Sequence, residues 1–251
     1  MHARSPYATQ HHSVSIRSLF STLFPHDNKR CVAPPGSLQP GVGKNIIVCS
    51  LMRSGTHALI DLLLNNFQPY RRTPLYVDFD GLIKLNLDKD EILGINGYLI
   101  KTHFPQNPLP REHIEILDLL AQGSHVIRPY RDLNHVRNSL QNFSHADYQG
   151  DLVGIALEAD RFWGKYNPLV IPFDDLINSN KAASVIKTLS HHLQMPCNKK
   201  TIANPERHQV LFALSCKLAT RILGKHSPRI NTTIQFAATK PRGGSSAPSH
   251  S

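Results

Sequence analysis

Arg53, Ser54, Gly55 and Thr56 occupy four consecutive positions between an apolar strand and a helix, a setting suited to holding phosphate or sulfate oxygens. The unbroken run Ile46, Ile47, Val48, Cys49 predicts a buried strand, and Ala58, Leu59, Leu62 and Leu63 fall on one face at a period near 3.6, which predicts a helix. The backbone amides of Ser54 to His57 then lie at a helix N-terminus, where unpaired donors and the positive dipole end attract an anion. Gly55 permits close backbone approach, and Arg53, Ser54 and Thr56 add side-chain donors. The loop is expected to hold the 5'-phosphate end of a nucleotide. A Walker A loop requires Gly-x-x-x-x-Gly-Lys-Ser/Thr after the strand. The nearest candidate, Gly41-Val42-Gly43-Lys44-Asn45, precedes the strand, lacks the first glycine and has Asn45 in place of a hydroxyl, so an ordinary ATP or GTP hydrolase is disfavoured.

Two further segments carry chemistry-bearing residues: Tyr98-Leu99-Ile100-Lys101-Thr102-His103-Phe104-Pro105, and Val126-Ile127-Arg128-Pro129-Tyr130-Arg131-Asp132-Leu133 continuing to Ser139. With the loop at Arg53 to His57, they resemble the sulfotransferase family that uses 3'-phosphoadenosine 5'-phosphosulfate (PAPS). Arg53 to His57 resembles that family's Pro-Lys/Arg-Ser-Gly-Thr loop for the 5'-phosphosulfate, and Lys101 to Pro105 its Lys-Thr-His-Leu-Pro segment with the catalytic histidine. Arg128 with Arg131-Asp132-Leu133 resembles the segment that grips the 3'-phosphate. Ile171-Pro172-Phe173-Asp174-Asp175-Leu176 is similar to the Tyr-Glu-Asp-Leu strand end, followed by Leu193-Gln194-Met195-Pro196 in place of Leu-Gly-Ile-Pro. The four anchors occur in the family's order between residues 46 and about 202.

The resemblance implies a P-loop NTPase-like α/β three-layer fold and sulfuryl transfer from PAPS to a hydroxyl or amine acceptor. His103 would be the general base, since an imidazole of pKa about 6.5 accepts a proton near neutral pH. Arg53, Ser54, Gly55, Thr56 and His57 would hold the 5'-phosphosulfate, with Arg53 and the loop donors neutralising the leaving oxygen and Lys101 a second cation beside the transferring group. Arg128 would pair with the 3'-phosphate, and Ser139 or Asn138 would add a hydrogen bond. Each has a plainer alternative: His103 capping a strand end, His57 contributing only its amide, Arg128 pairing with Asp132, and Arg131 salt-linked or solvated. Adjacent Asp174 and Asp175 diverge too much for a glycosidase pair and are expected to cap the next helix; Trp163 is expected in the core.

Several positions depart from the family pattern. Met52 stands where a proline is usual, Ala58 where a tryptophan is common, and Val136 where a serine is expected eight positions after Arg128. The late Arg-Lys-Gly loop has only a weak echo in Lys240-Pro241-Arg242-Gly243-Gly244. Two rivals therefore stay open: a nucleotide kinase or other phosphotransferase, for which no Walker-type lysine is found, and a module that binds nucleotide without turnover.

The elements that must position these residues alternate between strand and helix. Strands are expected at 46–49, 98–101, 124–128 and 169–173, with a short extended piece at 75–79. Helices are expected from 58 to about 66 and at 114–120, 132–142, 157–166, 181–193 and 209–223. Such alternation builds a mainly parallel sheet covered on both faces, whose ligands bind beyond the carboxyl ends of the strands. The loops after Cys49, Lys101 and Arg128 would open at that edge together.

Composition sets the outer bounds. A chain of 251 residues suffices for one sizeable core, here placed at 45–240 between a basic N-terminal segment and linker (1–44) and a flexible tail (241–251). The net charge of +10 favours anionic ligands generally, but the basic residues are scattered rather than forming a nucleic-acid stripe, so no nucleic-acid partner is expected. The four cysteines form no Cys-x-x-Cys pair, and Cys49 reads as a buried thiol. Among fifteen histidines, the pairs His11-His12 and His191-His192 diverge on a helix, so no metal is expected. No apolar run is long enough for a transmembrane helix. A cytoplasmic enzyme is the expectation, although residues 1–26, with Arg4, Arg17 and no acid, are also compatible with an organellar transit peptide. The resemblance implies acceptor walls built from variable loops, here around 67–96 and 142–160, drawing on Tyr70, Arg71, Arg72, Tyr76, Phe79, Phe143 and Tyr148. The two arginines tilt the acceptor toward a polar or anionic one.

Overall fold

The computed structural model describes residues 38, 41–70, 74–82, 89–144, 150–178 and 180–197. Strand β1, Ile46–Cys49, is buried along its whole length. Its alternate side chains enter two different cores: Ile46 and Val48 pack with Leu59, Leu63, Ile127 and Leu189, whereas Ile47 and Cys49 pack with Ile100, Leu117, Val126 and Trp163. A strand apolar on both faces requires cover on both faces, which is the reason for three layers.

The remaining strands are β2 (Val77–Asp78), β3 (Leu99–Thr102), β4 (His125–Tyr130) and β5 (Leu169–Pro172). They form a five-stranded sheet in the order β2-β3-β1-β4-β5, every pair parallel. The chain is thus an α/β protein with a central parallel sheet. The α-helices among the described residues are α1 (Thr56–Asn66), the short α2 (Phe79–Leu82) and α3 (Lys89–Leu93), α4 (Arg111–Gln122), α5 (Leu133–Ser144), α6 (Leu152–Gly164), the short α7 (Phe173–Ile177) and α8 (Ala182–Leu193). Leu176, Ile186 and Leu189, from α7 and α8, share the first core with α1; Leu117 and Trp163, from α4 and α6, share the second.

Because β1 and β4 lie side by side and the order reverses on either side of β1, the β1–α1 loop opens at a topological switch point. The register Cys49↔Thr102 brings the ends of β1 and β3 level, so the loop at residues 50–55 and the segment after Thr102 leave the sheet together.

Most expected elements are present with shifted ends. The extended piece at 75–79 shortens to β2, because Phe79 already begins α2. Likewise Phe173 opens α7 instead of ending β5. Helix α6 starts five residues earlier than position 157, where Asp151 accepts a hydrogen bond from the Gly154 amide at 2.9 Å and caps it. The helix expected at 209–223 and the segments 1–26 and 241–251 lie outside the described residues. Among those described, no helix is long and apolar enough to cross a membrane.

Candidate functional site

No side chain caps α1. Gly55 occupies its N-cap position at φ 105° and, being glycine, supplies no side-chain cap hydrogen bond. The Gly55 and Thr56 side of the loop therefore presents backbone donors, as an anion site requires. Ser54 turns inward instead, donating from its hydroxyl to the Leu51 carbonyl at 2.6 Å, and is only 2% exposed. Its contribution to the loop is to hold the turn.

Two contacts fix the loop from outside. Arg131 Nη1 donates to the Arg53 carbonyl at 2.9 Å, which braces Arg53 in a left-handed backbone conformation of φ 69°. The Arg131 guanidinium also lies over the Phe173 ring, 4.3 Å from its centroid. Phe173 in turn presses on Gly55: a Cβ there would lie 2.5 Å from Phe173 Cδ2. Among the described residues Arg131 is thus neither salt-linked nor simply solvated, the two roles expected of it. The side chain of Arg53 is exposed, and its Nε donates to Ser139 Oγ at 3.0 Å.

His103 follows β3 directly. Its Nδ1 lies 2.8 Å from the Ser50 carbonyl oxygen. A carbonyl only accepts, so Nδ1 carries the hydrogen and the neutral ring has its lone pair on Nε2. Ser50 Oγ lies 3.4 Å from the same Nδ1 and 2.7 Å from Thr56 Oγ1. One residue therefore joins the imidazole to the first residue of α1. Burial lowers the His103 pKa below its ordinary 6.5, and the Lys101 charge lowers it further; the Ser50 carbonyl, Asp80 and Asp78 oppose both. The net direction keeps the ring neutral at neutral pH. His103 does more than cap a strand end.

Lys101 is nearly buried, with its side chain 9% exposed, and its Nζ donates to Asp78 Oδ2 at 2.6 Å. The pairing follows from the parallel register Asp78↔Lys101. Asp80, two residues on, accepts from Thr102 Oγ1 at 2.7 Å, from the His103 amide at 3.0 Å and from Asn107 Nδ2 at 2.7 Å. Gln106 Oε1 accepts from the Met52 amide at 2.5 Å and ties the same segment to the anion loop.

Arg128 stands apart from this network. Its Nη1 donates to Asp160 Oδ1 on α6 at 2.7 Å, and not to Asp132, the partner that sequence proximity offered. Asp132 caps α5 instead, accepting from the amides of Asn134 and His135 at 2.9 and 3.2 Å. Val136, the departure from the serine pattern, is fully buried with Leu140 and Leu152, and Met52 packs against them. Ser139 reaches Arg53, whereas Asn138 is exposed. His57 meets Tyr76 edge to face, ring centroids 5.7 Å apart.

Three residues expected in acceptor walls belong to the core: Tyr70, Tyr76 and Phe79 are 2%, 3% and 1% exposed. Tyr70 donates to the Lys44 carbonyl at 2.7 Å, and burial pushes its phenol up to about 12. Arg71, Arg72 and Tyr148 and the side chain of Phe143 lie outside the described residues. Asp174 and Asp175 lie in the first turn of α7 and do not cap the helix that follows: α8 has no side-chain cap, and Asp175 pairs with Lys181 at 2.6 Å. Trp163 is buried as expected, and its indole donates to the Phe104 carbonyl at 3.0 Å.

Sequence reasoning missed Ser50, Asp78, Asp80, Gln106, Asn107 and Asp160. The parallel pairing of β2 with β3 was the signal that would have pointed to Asp78 and Asp80; a two-residue strand carries almost no periodicity from which to read it. No protein-family model, curated protein or solved structure matches this chain.

Proposed function

We propose that the chain is a PAPS-dependent sulfotransferase, with a P-loop-like α/β fold, that transfers a sulfuryl group to a hydroxyl or amine acceptor. The observation that carries this reading is the placement of a neutral imidazole, with Nδ1–H held by the Ser50 carbonyl, one residue's hydrogen bonds away from an uncapped helix N-terminus. An activated sulfuryl donor needs those two features side by side: donors for its 5'-phosphate and a base for the attacking group.

The acceptor's proton passes to His103 Nε2 as its oxygen or nitrogen forms a bond to sulfur. The bond from sulfur to the bridging phosphate oxygen breaks, and its electron pair stays on that oxygen. The products are the sulfated acceptor, 3'-phosphoadenosine 5'-phosphate and an imidazolium that returns its proton to solvent. Negative charge grows on the leaving phosphate, where Arg53 and the amides of Gly55 and Thr56 oppose it. Lys101 supplies a second positive charge beside His103, shared with Asp78.

A nucleotide-binding module without turnover is the second reading. It is favoured by the Arg128–Asp160 pair, which already occupies the guanidinium assigned to the 3'-phosphate, and by the buried Val136.

The test is calorimetric binding of 3'-phosphoadenosine 5'-phosphate without magnesium, against ATP and 5'-AMP, in the parent and in Arg128→Ala. Selective binding lost in the variant supports the donor site, and transfer of labelled sulfate to a panel of phenols, alcohols and amines then separates enzyme from module. Equal or tighter binding of ATP, or no nucleotide binding at all, overturns the proposal.

A further inference from the structure

We infer that Asp80 is the positioning residue of the His103 site: its carboxylate ties together the segment that carries the imidazole. This rests on the sulfotransferase reading for the role of His103, although the clamp itself does not. Asp80 Oδ1 accepts from Thr102 Oγ1 at 2.7 Å, while Oδ2 accepts from the His103 amide at 3.0 Å and from Asn107 Nδ2 at 2.7 Å. Thr102 Oγ1 also accepts from the Phe104 amide at 3.1 Å, and the Asn107 amide donates to the His103 carbonyl at 3.1 Å. The residues on either side of His103 are therefore referred to one carboxylate, from a strand and helix more than twenty positions earlier in the chain.

The chemistry selects an ionised acid. A carboxylate is acceptor-only and offers about four lone-pair sites, and three donors converge on it here. An amide of the same shape turns one oxygen into a donor that faces other donors. Charge-assisted hydrogen bonds are also roughly twice as strong as neutral ones. Asp80 reaches this position because β2 runs parallel to β3 and the chain turns immediately into α2, which places Asp80 beside Thr102 and His103.

Asp80 meets His103 at its backbone amide, so it acts through the backbone and through its charge. The ring depends on the backbone position of His103 to keep Nδ1 at 2.8 Å from the Ser50 carbonyl. The charged groups that face it are Lys101 on β3, which lowers its pKa, and Asp78 and Asp80, which raise it. Loss of Asp80 should therefore release the tautomer and move the His103 midpoint further down.

The test is two-bond 1H–15N correlation spectroscopy of the full chain labelled at histidine nitrogens, with the His103 signals assigned by their loss in His103→Gln. The parent should show Nδ1 protonated and Nε2 unprotonated. Asp80→Asn should show mixed tautomers and a lower titration midpoint, and Asn107→Ala, which removes one of the clamp's donors, a smaller change in tautomer. Binding of 3'-phosphoadenosine 5'-phosphate should change less than about twofold in either variant, because Asp80 bonds none of residues 53–56. Should Asp80→Asn fail to fold, Asn107→Ala decides. Parent-like tautomer and midpoint in both would overturn the clamp. Altered His103 signals in the variants, with a parent that binds no nucleotide, would uphold the clamp and remove the sulfotransferase reading.

Discussion

Gly55→Ala tests the most sterically defined part of the site. The backbone at φ 105° lies where L side chains are strained, a cost of about 1–2 kcal/mol for left-handed backbone. The new methyl would also meet Phe173 Cδ2 at 2.5 Å, and forcing extra volume into packed surroundings costs about 1–3 kcal/mol. Phe173 is not free to swing away without loss, since Arg131 lies over its ring. The sum is about 2–5 kcal/mol, which for a chain of this size lowers Tm by roughly 4–20 °C. Urea unfolding of Gly55→Ala, Phe173→Ala and the double variant separates the two terms. Removing the ring abolishes the clash but leaves the backbone strain, so the double variant should be more stable than additivity predicts, by about 1–3 kcal/mol. Calorimetry should also show that Gly55→Ala weakens binding of 3'-phosphoadenosine 5'-phosphate, because relief of either strain moves the loop amides. A Gly55→Ala protein with parental midpoint and affinity, or a strictly additive double variant, would refute the steric account.

Other perturbations have equally definite outcomes. On the proposed sulfotransferase reading, His103→Gln should lower sulfate transfer by about 10²–10⁴-fold, the usual range for a general base, while the affinity for 3'-phosphoadenosine 5'-phosphate stays near parental. Asp160→Asn should release the Arg128 guanidinium and tighten 3'-phosphate binding about two- to fivefold in calorimetry, since ion pairs with an exposed partner are worth up to about 1 kcal/mol. The pKa values of His103, His125 and His192 are all lowered, each first by burial. As pH falls through the ordinary value of about 6.5, the unfolded chain takes up protons before the native one does. Stability is therefore complete above that pH and declines from there toward the native midpoints, measurable as a lower urea midpoint at pH 5.5 than at 7.5. Cys49 is fully buried and its thiol pKa is pushed up by that burial, so peptide mass spectrometry should find it alkylated by iodoacetamide only when the chain unfolds.

The parts of this molecule legible in the sequence are those where one strong local signal acts alone. The run Ile46 to Cys49 is apolar on both faces and becomes the central strand; the break at Arg53 to Gly55 ends it, and the leucines that follow form a buried helix. Cross-chain partners were not legible. Arg128 has Asp132 four positions away, yet β4 directs its guanidinium to α6 and Asp160, while Asp132 is engaged by the amides of α5. Tyr70, Tyr76 and Phe79 were expected to face a ligand because they fall in the loop region 67–96, but all three are enclosed by the core. Asp78 and Asp80 had no visible purpose until β2 was seen to pair with β3. The register of a two-residue strand is set by its neighbours, and only tertiary structure supplies it.

The three cations assigned to the donor each have a partner from a different element: Arg53 with Ser139 of α5, Lys101 with Asp78 of β2, and Arg128 with Asp160 of α6. Such pairing limits mutual repulsion and keeps each group placed, and on the proposed reading it would also set the selectivity of the site. An anion binds well only if it matches or outcompetes the resident partner, and the resident partners differ. The serine hydroxyl that Arg53 bonds is neutral and itself carries no charge to compete with the 5' end of a donor. The carboxylate at Arg128 is charged and competes directly with a 3'-phosphate. A nucleotide with only a 5'-phosphate should therefore bind with little change when Asp160 is neutralised, whereas a 3',5'-bisphosphate should gain. Equal gains for 5'-AMP and 3'-phosphoadenosine 5'-phosphate in Asp160→Asn would show that the pair acts through the overall charge of the surface, and the assignment of Arg128 to the 3'-phosphate would then fail.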